Sequence, residues 1–340
     1  MKWQAPENWT RVTAIDAHTA GEPLRIFTGG YPELPGNTIL AKRSYALKHF
    51  DYLRTATMWE PRGHADMYGC VITEPTTDDG DFGVLFLHNE GYSSMCGHGI
   101  IAVTKVILET GMIEALRDRE DIKIDTPAGR VTAFPKWEEG KVTEVSFHNV
   151  ASFVYARDQD IAVPGLGLVR YDISYGGAFY AIVDASSIGV DLDSGSFRRL
   201  IELGIEIKEK IMAEREVRHP FEEDLSFLYG VIFVGEARNA SNHSRNVCVF
   251  ADGEVDRSPT GTGVSARAAL HYARRELQAG EPFVVESILG TCFKGEITNE
   301  TELGPYRAVI PKITGSAHIC GHNTLLIDPE DPLRHGFILR

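Results

Sequence analysis

One short stretch occurs twice in this chain, and it restricts what the rest can form. Ser94-Met95-Cys96-Gly97-His98-Gly99-Ile100-Ile101 returns as Ser258-Pro259-Thr260-Gly261-Thr262-Gly263-Val264-Ser265. Both read Ser-x-(Cys/Thr)-Gly-x-Gly and then enter an apolar, helix-forming run. Cys96 and Thr260 hold the same place in the two copies, about half of the 340 residues apart. Two copies of one glycine-rich helix start imply two related lobes whose helix ends can face each other. One copy offers a thiol, the other a hydroxyl.

The repeat predicts an N-terminal lobe over residues 1–160 carrying Cys96 and a C-terminal lobe over 161–340 carrying Thr260. The length agrees with about two domains. The boundary is expected between Asp158 and Gly167, where Pro164, Gly165 and Gly167 interrupt the pattern. The last stretch, Asn323 to Arg340, is free to stay with the second lobe or to cross to the first.

A 43% hydrophobic, 24% charged composition suits a soluble globular protein with a real core. The net charge of −14 argues against nucleic acid or an anionic membrane as partner. It leaves room for a small zwitterionic substrate held by local groups. Met1 to Leu24 contains no apolar segment of the secretory-signal kind. The longest apolar run, Gly99 to Leu108, is broken by Lys105 and too short to cross a bilayer. Cys70, Cys96, Cys248, Cys292 and Cys320 make an odd count without paired spacing. No disulfide framework is therefore expected, and a reducing cytoplasm is.

Taken in order, Val12 to Ile26 reads as a short strand followed by a polar turn, Asp16 to Pro23. Asn37 to Thr57 carries a helical pattern, with Leu40, Ala41, Tyr45, Ala46 and Phe50 on one side. Met67 to Thr73 and Gly83 to Asn89 are β-rich, and the second of these leads to Cys96. From Gly97 the apolar positions describe a helix with Gly111 as its C′ residue; a helix this apolar is buried. Ile122 to Val131 and Val142 to Val154 read as strands. The second half repeats the order: strand-like Tyr171 to Asp184, Leu228 to Phe233 and Asn246 to Phe250. A helix from Gly263 to Leu277 and β-rich Phe283 to Ile297 follow. Arg198 to Glu216 reads as a charged, exposed helix.

A thiol acts as base or nucleophile only as thiolate, and a helix N-terminus lowers its pKa. Cys96 is placed for that effect, so a depressed pKa is expected of it. Exposed N–H groups at the same helix end suit a carboxylate. Cys70, Cys248 and Cys292 read as core cysteines. Cys96-x-His98 together with His88 could ligate zinc, but the usual Cys-x₂₋₄-Cys pairs are missing, so no metal is expected. Gly261-Thr262-Gly263-Val264-Ser265-Ala266 matches G-x-G-x-x-A in form only. A dinucleotide site needs the glycines directly after a strand, and here Asp252 to Pro259 intervene. Asp256 and His98 are the polar residues next to the two motif positions.

His88-Asn89-Glu90-Gly91-Tyr92-x-x-Met95-Cys96-Gly97-His98-Gly99 and Asp256-Arg257-Ser258-Pro259-x-Gly261-Thr262-Gly263 resemble the two signatures of the proline racemase superfamily. Asp16-x-His18-Thr19-x-Gly21-Glu22-Pro23, Tyr175-Gly176-Gly177-x-Phe179-Tyr180-Ala181 and Asp328-Pro329-x-Asp331-Pro332 extend the likeness over nearly the whole chain. The resemblance implies the α/β fold of diaminopimelate epimerase: two pseudo-symmetric lobes, each a β-sheet wrapped around a central helix, with the site between them. It also implies that Gly97, His98, Gly261 and Thr262 hold the substrate carboxylate, that Asp256 and His98 meet the ring nitrogen, and that Phe250 packs over the ring. A homodimer is left open.

Racemases and epimerases of that superfamily carry cysteine at both motif positions, and Thr260 departs from them. The departure resembles the branch that dehydrates trans-3-hydroxy-L-proline. Inversion at Cα needs a base on one face and an acid on the other, and an unactivated threonine hydroxyl is too weak an acid for that role. Elimination needs one face only. In trans-3-hydroxy-L-proline the hydroxyl shares a ring face with the Cα hydrogen, so Cys96 can remove the hydrogen and then protonate the leaving hydroxyl. The expected products are Δ1-pyrroline-2-carboxylate and water, with no cofactor. The alternatives are a 4-hydroxyproline 2-epimerase or proline racemase with an altered acid–base pair, and a catalytically dead binding protein.

Overall fold

The computed structural model describes residues 3–339. The first half runs β1 (Thr10–Thr19), β2 (Glu22–Gly29), α1 (Ile39–Met58), β3 (Tyr68–Thr73), β4 (Phe82–His88), β5 (Tyr92–Ser93), α2 (Gly97–Thr110), β6 (Ile122–Thr126), β7 (Gly129–Glu138) and β8 (Lys141–His148). After β9 (Ser152–Val163) the same order returns. It consists of β10 (Gly167–Tyr175), β11 (Phe179–Asp184), α3 (Phe197–Glu214), β12 (Leu228–Gly235), β13 (Ser244–Phe250), β14 (Glu254–Val255), α4 (Gly261–Ala273), β15 (Phe283–Glu286), β16 (Cys292–Leu303) and β17 (Tyr306–Gly315). β18 (Ala317–Ile327) closes the chain.

The repeat extends to the pairing of strands. β1 lies antiparallel to β2 as β10 does to β11, and β2 is parallel to β3 as β11 is to β12. β4 is parallel to β6 as β13 is to β15. The crossover helices α1 and α3 fall between the parallel pairs, which is why such a pair needs a long connection. α2 is enclosed by β1, β2, β7, β8, β17 and β18, and α4 by β9, β10, β11, β16 and β17. The fold is thus α/β, strand-rich, with each half wrapped around one helix.

The central helices follow from composition. Ile100, Ile101, Val103, Val106, Ile107 and Leu108 of α2 are all buried, each worth about 1.5–3 kcal/mol when fully removed from water. Gly111 ends α2 in the left-handed region at φ 68°, as the sequence suggested. α3 is amphipathic rather than simply exposed: Leu200, Leu203, Ile207 and Ile211 form its buried face.

Three expectations need correction. Asp16 to Thr19 belong to β1, and the turn is only Ala20-Gly21, because alternation carries the strand further than its polar residues suggested. Pro164 to Leu166 form a hairpin between β9 and β10 instead of a linker, and position 160/161 falls inside β9. Cys292 is exposed at the start of β16, while Cys70 and Cys248 are buried.

β18 pairs with β1, and β9 pairs with β10 and β17. We propose a lobe division that follows these pairings, with β1–β8 plus β18 in one lobe and β9–β17 in the other. Each lobe then receives its last strand from the end of the other half.

Candidate active site

The two repeated motifs meet. Cys96, Gly97 and His98 line one small cavity with Thr260, Gly261 and Thr262, together with Tyr68, Met95, Tyr180, Tyr229, Phe250 and Asp256. The space left for a water-sized sphere is only about 20 Å³, enough for about one water. Cys96, His98, Asp256 and Thr260 are each at most 5% exposed.

Cys96 is the N-cap of α2, with extended backbone, and its Sγ accepts from Gly99 N–H at 3.2 Å. His98 Nδ1 lies 3.2 Å from the same sulfur, while its Nε2 lies 3.2 Å from the Pro23 carbonyl oxygen. A carbonyl only accepts, so Nε2 carries the proton and Nδ1 is left to accept from the thiol. Burial holds His98 down at about 3, so the imidazole is neutral.

The expected depressed thiol does not appear. Burial pushes Cys96 well above the ordinary cysteine range. The Gly99 N–H pulls the other way, but the negative charges of Asp256 and Glu22 add to the rise. In this closed cavity desolvation outweighs the helix end.

Thr260 is not a structural copy of Cys96. Its φ is +66° where Cys96 has −145°, and its side chain does not cap α4. That backbone costs a β-branched residue on the order of 1–3 kcal/mol. The Thr260 Oγ1 is buried without a well-formed hydrogen bond, though it stands beside Asp256 and Cys248 and lowers the pKa of both. Asp256 accepts from Ser258 N–H at 2.7 Å, and burial raises its carboxyl to about 6.

The remaining signature residues build the site's frame. Glu22 accepts from the Arg257 N–H at 2.7 Å and lies 3.4 Å from its guanidinium, tying the β1–β2 hairpin to the second motif. Thr19 donates to the His98 carbonyl at 2.8 Å. Asn89 bonds the Met58 and His64 carbonyls, fixing the approach to Cys96. The Gly176-Gly177 turn lies against the first turn of α4: a β-carbon on Gly176 would come 2.2 Å from the Thr262 carbonyl oxygen. Sequence reasoning missed Tyr68 and Tyr229 as lining residues. Tyr180 was named only as a motif member, and nothing in the spacing marks the other two.

His88 Nδ1 lies 3.4 Å from Glu90 and 3.3 Å from Glu254. Among the described residues these three form the one group whose ligand atoms, all within 4.8 Å of one another, could hold a metal ion. It does not include Cys96 or His98. Arg54 and Arg43 add positive charge near His88, which with burial lowers its pKa.

The proline racemase family model matches residues 14–338. The chain belongs to that family. It is 48% identical to a trans-3-hydroxy-L-proline dehydratase of Colwellia psychrerythraea, with 100% of this chain and 96% of that protein covered. It is 45% identical to a proline racemase of Clostridioides difficile, covering 97% and 98%. The structure of a hydroxyproline epimerase from Agrobacterium vitis with bound trans-4-hydroxy-L-proline superposes at a TM-score of 0.93, with 32% identity and coverage of 98% and 96%. The architecture of this family member is therefore that of the solved epimerase. Among its described residues no helix is long and apolar enough to cross a membrane.

Proposed function

We propose that this enzyme dehydrates trans-3-hydroxy-L-proline to Δ1-pyrroline-2-carboxylate and water, with Cys96 as the base at Cα. The observation that carries the reading is the unequal pair in one cavity: a thiol capping α2 and, at the repeated position, a threonine hydroxyl in a different backbone conformation. The name of the Colwellia psychrerythraea relative agrees with it.

The first amides of a helix have no intrahelical partner, so Gly97 and His98 at α2, with Gly261 and Thr262 at α4, offer N–H groups to the substrate carboxylate. Asp256 pairs with the secondary ammonium, which offsets one of the charges that keep Cys96 protonated. Phe250, stacked on Tyr229 at a centroid distance of 5.3 Å, packs against the ring.

The Cys96 thiolate takes the Cα proton, and the C–H electrons become the Cα–C3 double bond as the C3–O bond breaks. The new thiol returns its proton to the departing hydroxyl on the same face, giving water. The enamine then gains a proton at C3 and loses one from nitrogen, giving the ketimine. Protons and water are the only species exchanged. Five unpaired cysteines fit a reducing cytoplasm.

The test is a panel of proline, 3-hydroxyproline and 4-hydroxyproline isomers assayed for ketimine. Formation from trans-3-hydroxy-L-proline alone is expected. No ketimine from that isomer would overturn the reading.

A further inference from the structure

Three buried phenols on the cavity wall play no part in the mechanism: those of Tyr68, Tyr180 and Tyr229. They are not equivalent. The Tyr180 hydroxyl lies 2.7 Å from Thr262 Oγ1, and its principal electrostatic neighbours are Cys248, Tyr229 and Asp256. Tyr68 packs against His98, whose Nδ1 lies 3.2 Å from the Cys96 sulfur. The Tyr229 hydroxyl lies beside that of Tyr68, so this pair stands on the thiol's side of the cavity.

These two hydroxyls lie 3.2 Å apart, and Tyr68 donates onward to Ser93 Oγ at 2.6 Å. The rings are locked: Tyr68 meets His98 edge-on at 4.8 Å between centroids, and Tyr229 stacks on Phe250. A phenol has one proton to give. Tyr68 has committed its own to Ser93, so the 3.2 Å contact uses the proton of Tyr229. That contact is longer than the usual O–H···O distance of about 2.7–2.8 Å, and a closer acceptor can take the proton over. Burial raises both phenols, so both remain neutral donors at neutral pH.

In a one-face elimination the departing hydroxyl lies on the Cys96 side of the ring. We propose that Tyr229, positioned by Tyr68 and Ser93, is the subsite for the leaving ring hydroxyl and selects a 3-hydroxylated pyrrolidine over proline. Tyr229 donates a hydrogen bond to the oxygen and keeps its proton; the proton in the product water comes from Cys96. The assignment of the oxygen as the 3-hydroxyl rests on the dehydratase reading.

Binding of trans-3-hydroxy-L-proline and of L-proline is measured by calorimetry on the Cys96→Ser protein, so that neither ligand is consumed, with and without Tyr229→Phe. A lost neutral hydrogen bond is expected to weaken the hydroxylated ligand about 10-fold and to leave L-proline within about 2-fold. Tyr68→Phe, which breaks the relay one step back, is expected to give a smaller loss of the same selectivity. Equal weakening of both ligands, or no change in either, would overturn the subsite. Its failure is separable from that of the parent reading. If the wild type forms no ketimine yet Tyr229→Phe still loses the discrimination, the subsite stands and the dehydratase reading falls. If ketimine forms and discrimination is unchanged, only the subsite falls.

Discussion

Gly97 and Gly261 stand back to back where the two central helices begin. A β-carbon on Gly97 would lie 2.6 Å from the Gly261 Cα, and one on Gly261 would lie 2.8 Å from the Gly97 Cα. The obstructing atoms are backbone, so neither side can yield by a rotamer change. Gly261→Ala is therefore expected to lower stability by about 1–3 kcal/mol, as overpacking does. It should also cost activity by moving the α4 amides away from those of α2. A thermal melt and a turnover assay check it; an unchanged melting temperature would show that the helix starts are not in contact.

Cys96 begins as a thiol. Because its pKa is raised, the thiolate fraction grows with pH, and kcat/KM, which reports the free enzyme, is expected to climb about tenfold per unit between pH 7 and 9. A plateau below pH 7.5 would mean that the helix end wins over burial. Cys96→Ser should lose at least about 10²-fold in rate. Exposed Cys292 and Cys320 should react with iodoacetamide before buried Cys96 does, whereas a depressed Cys96 pKa would put Cys96 first.

In the proposed mechanism Asp256, whose carboxyl burial raises to about 6, is the partner of the substrate ammonium. Its carboxylate binds the cation and its acid does not, so affinity is full above pH 7. Below pH 6 it should fall about tenfold per unit as a proton competes. Asp256→Asn should weaken binding about 10- to 150-fold, the value of a charge-assisted bond of roughly 1.5–3 kcal/mol. Calorimetry with L-proline from pH 5 to 8 checks both, and an affinity flat across that range would remove Asp256 from the contact.

Most of the architecture was readable because it is written twice. The repeat at Cys96 and Thr260 announced the two helix starts, and apolar α2 announced its own burial. What stayed hidden depends on contacts distant in sequence. The β1–β18 and β9–β10 pairings that cross between halves leave no local signal. Nor do Tyr68 and Tyr229, which reach the cavity only after β3 and β12 are in place. The thiol's pKa was misjudged because a sequence shows the helix end but neither the closure of the cavity nor the approach of Glu22 from the first hairpin.

Thr260→Cys restores a thiol at the second position. A gain of epimerase activity on L-configured prolines is expected, and a small one, because the backbone at 260 does not match that at 96. Dehydration should survive, since Cys96 is untouched. Chiral chromatography of variant and wild type side by side checks it; loss of dehydration with no gain of inversion would give Thr260 a direct part in the elimination.

The claim that the chemistry is confined to one face is tested most directly by wild-type enzyme in D₂O with L-proline and 4-hydroxy-L-proline, followed by chiral analysis. With Cys96 as sole proton carrier, both should keep the L configuration while trans-3-hydroxy-L-proline is converted to ketimine under the same conditions. Inversion of either at a rate comparable to that dehydration would contradict it and make the enzyme a racemase or epimerase.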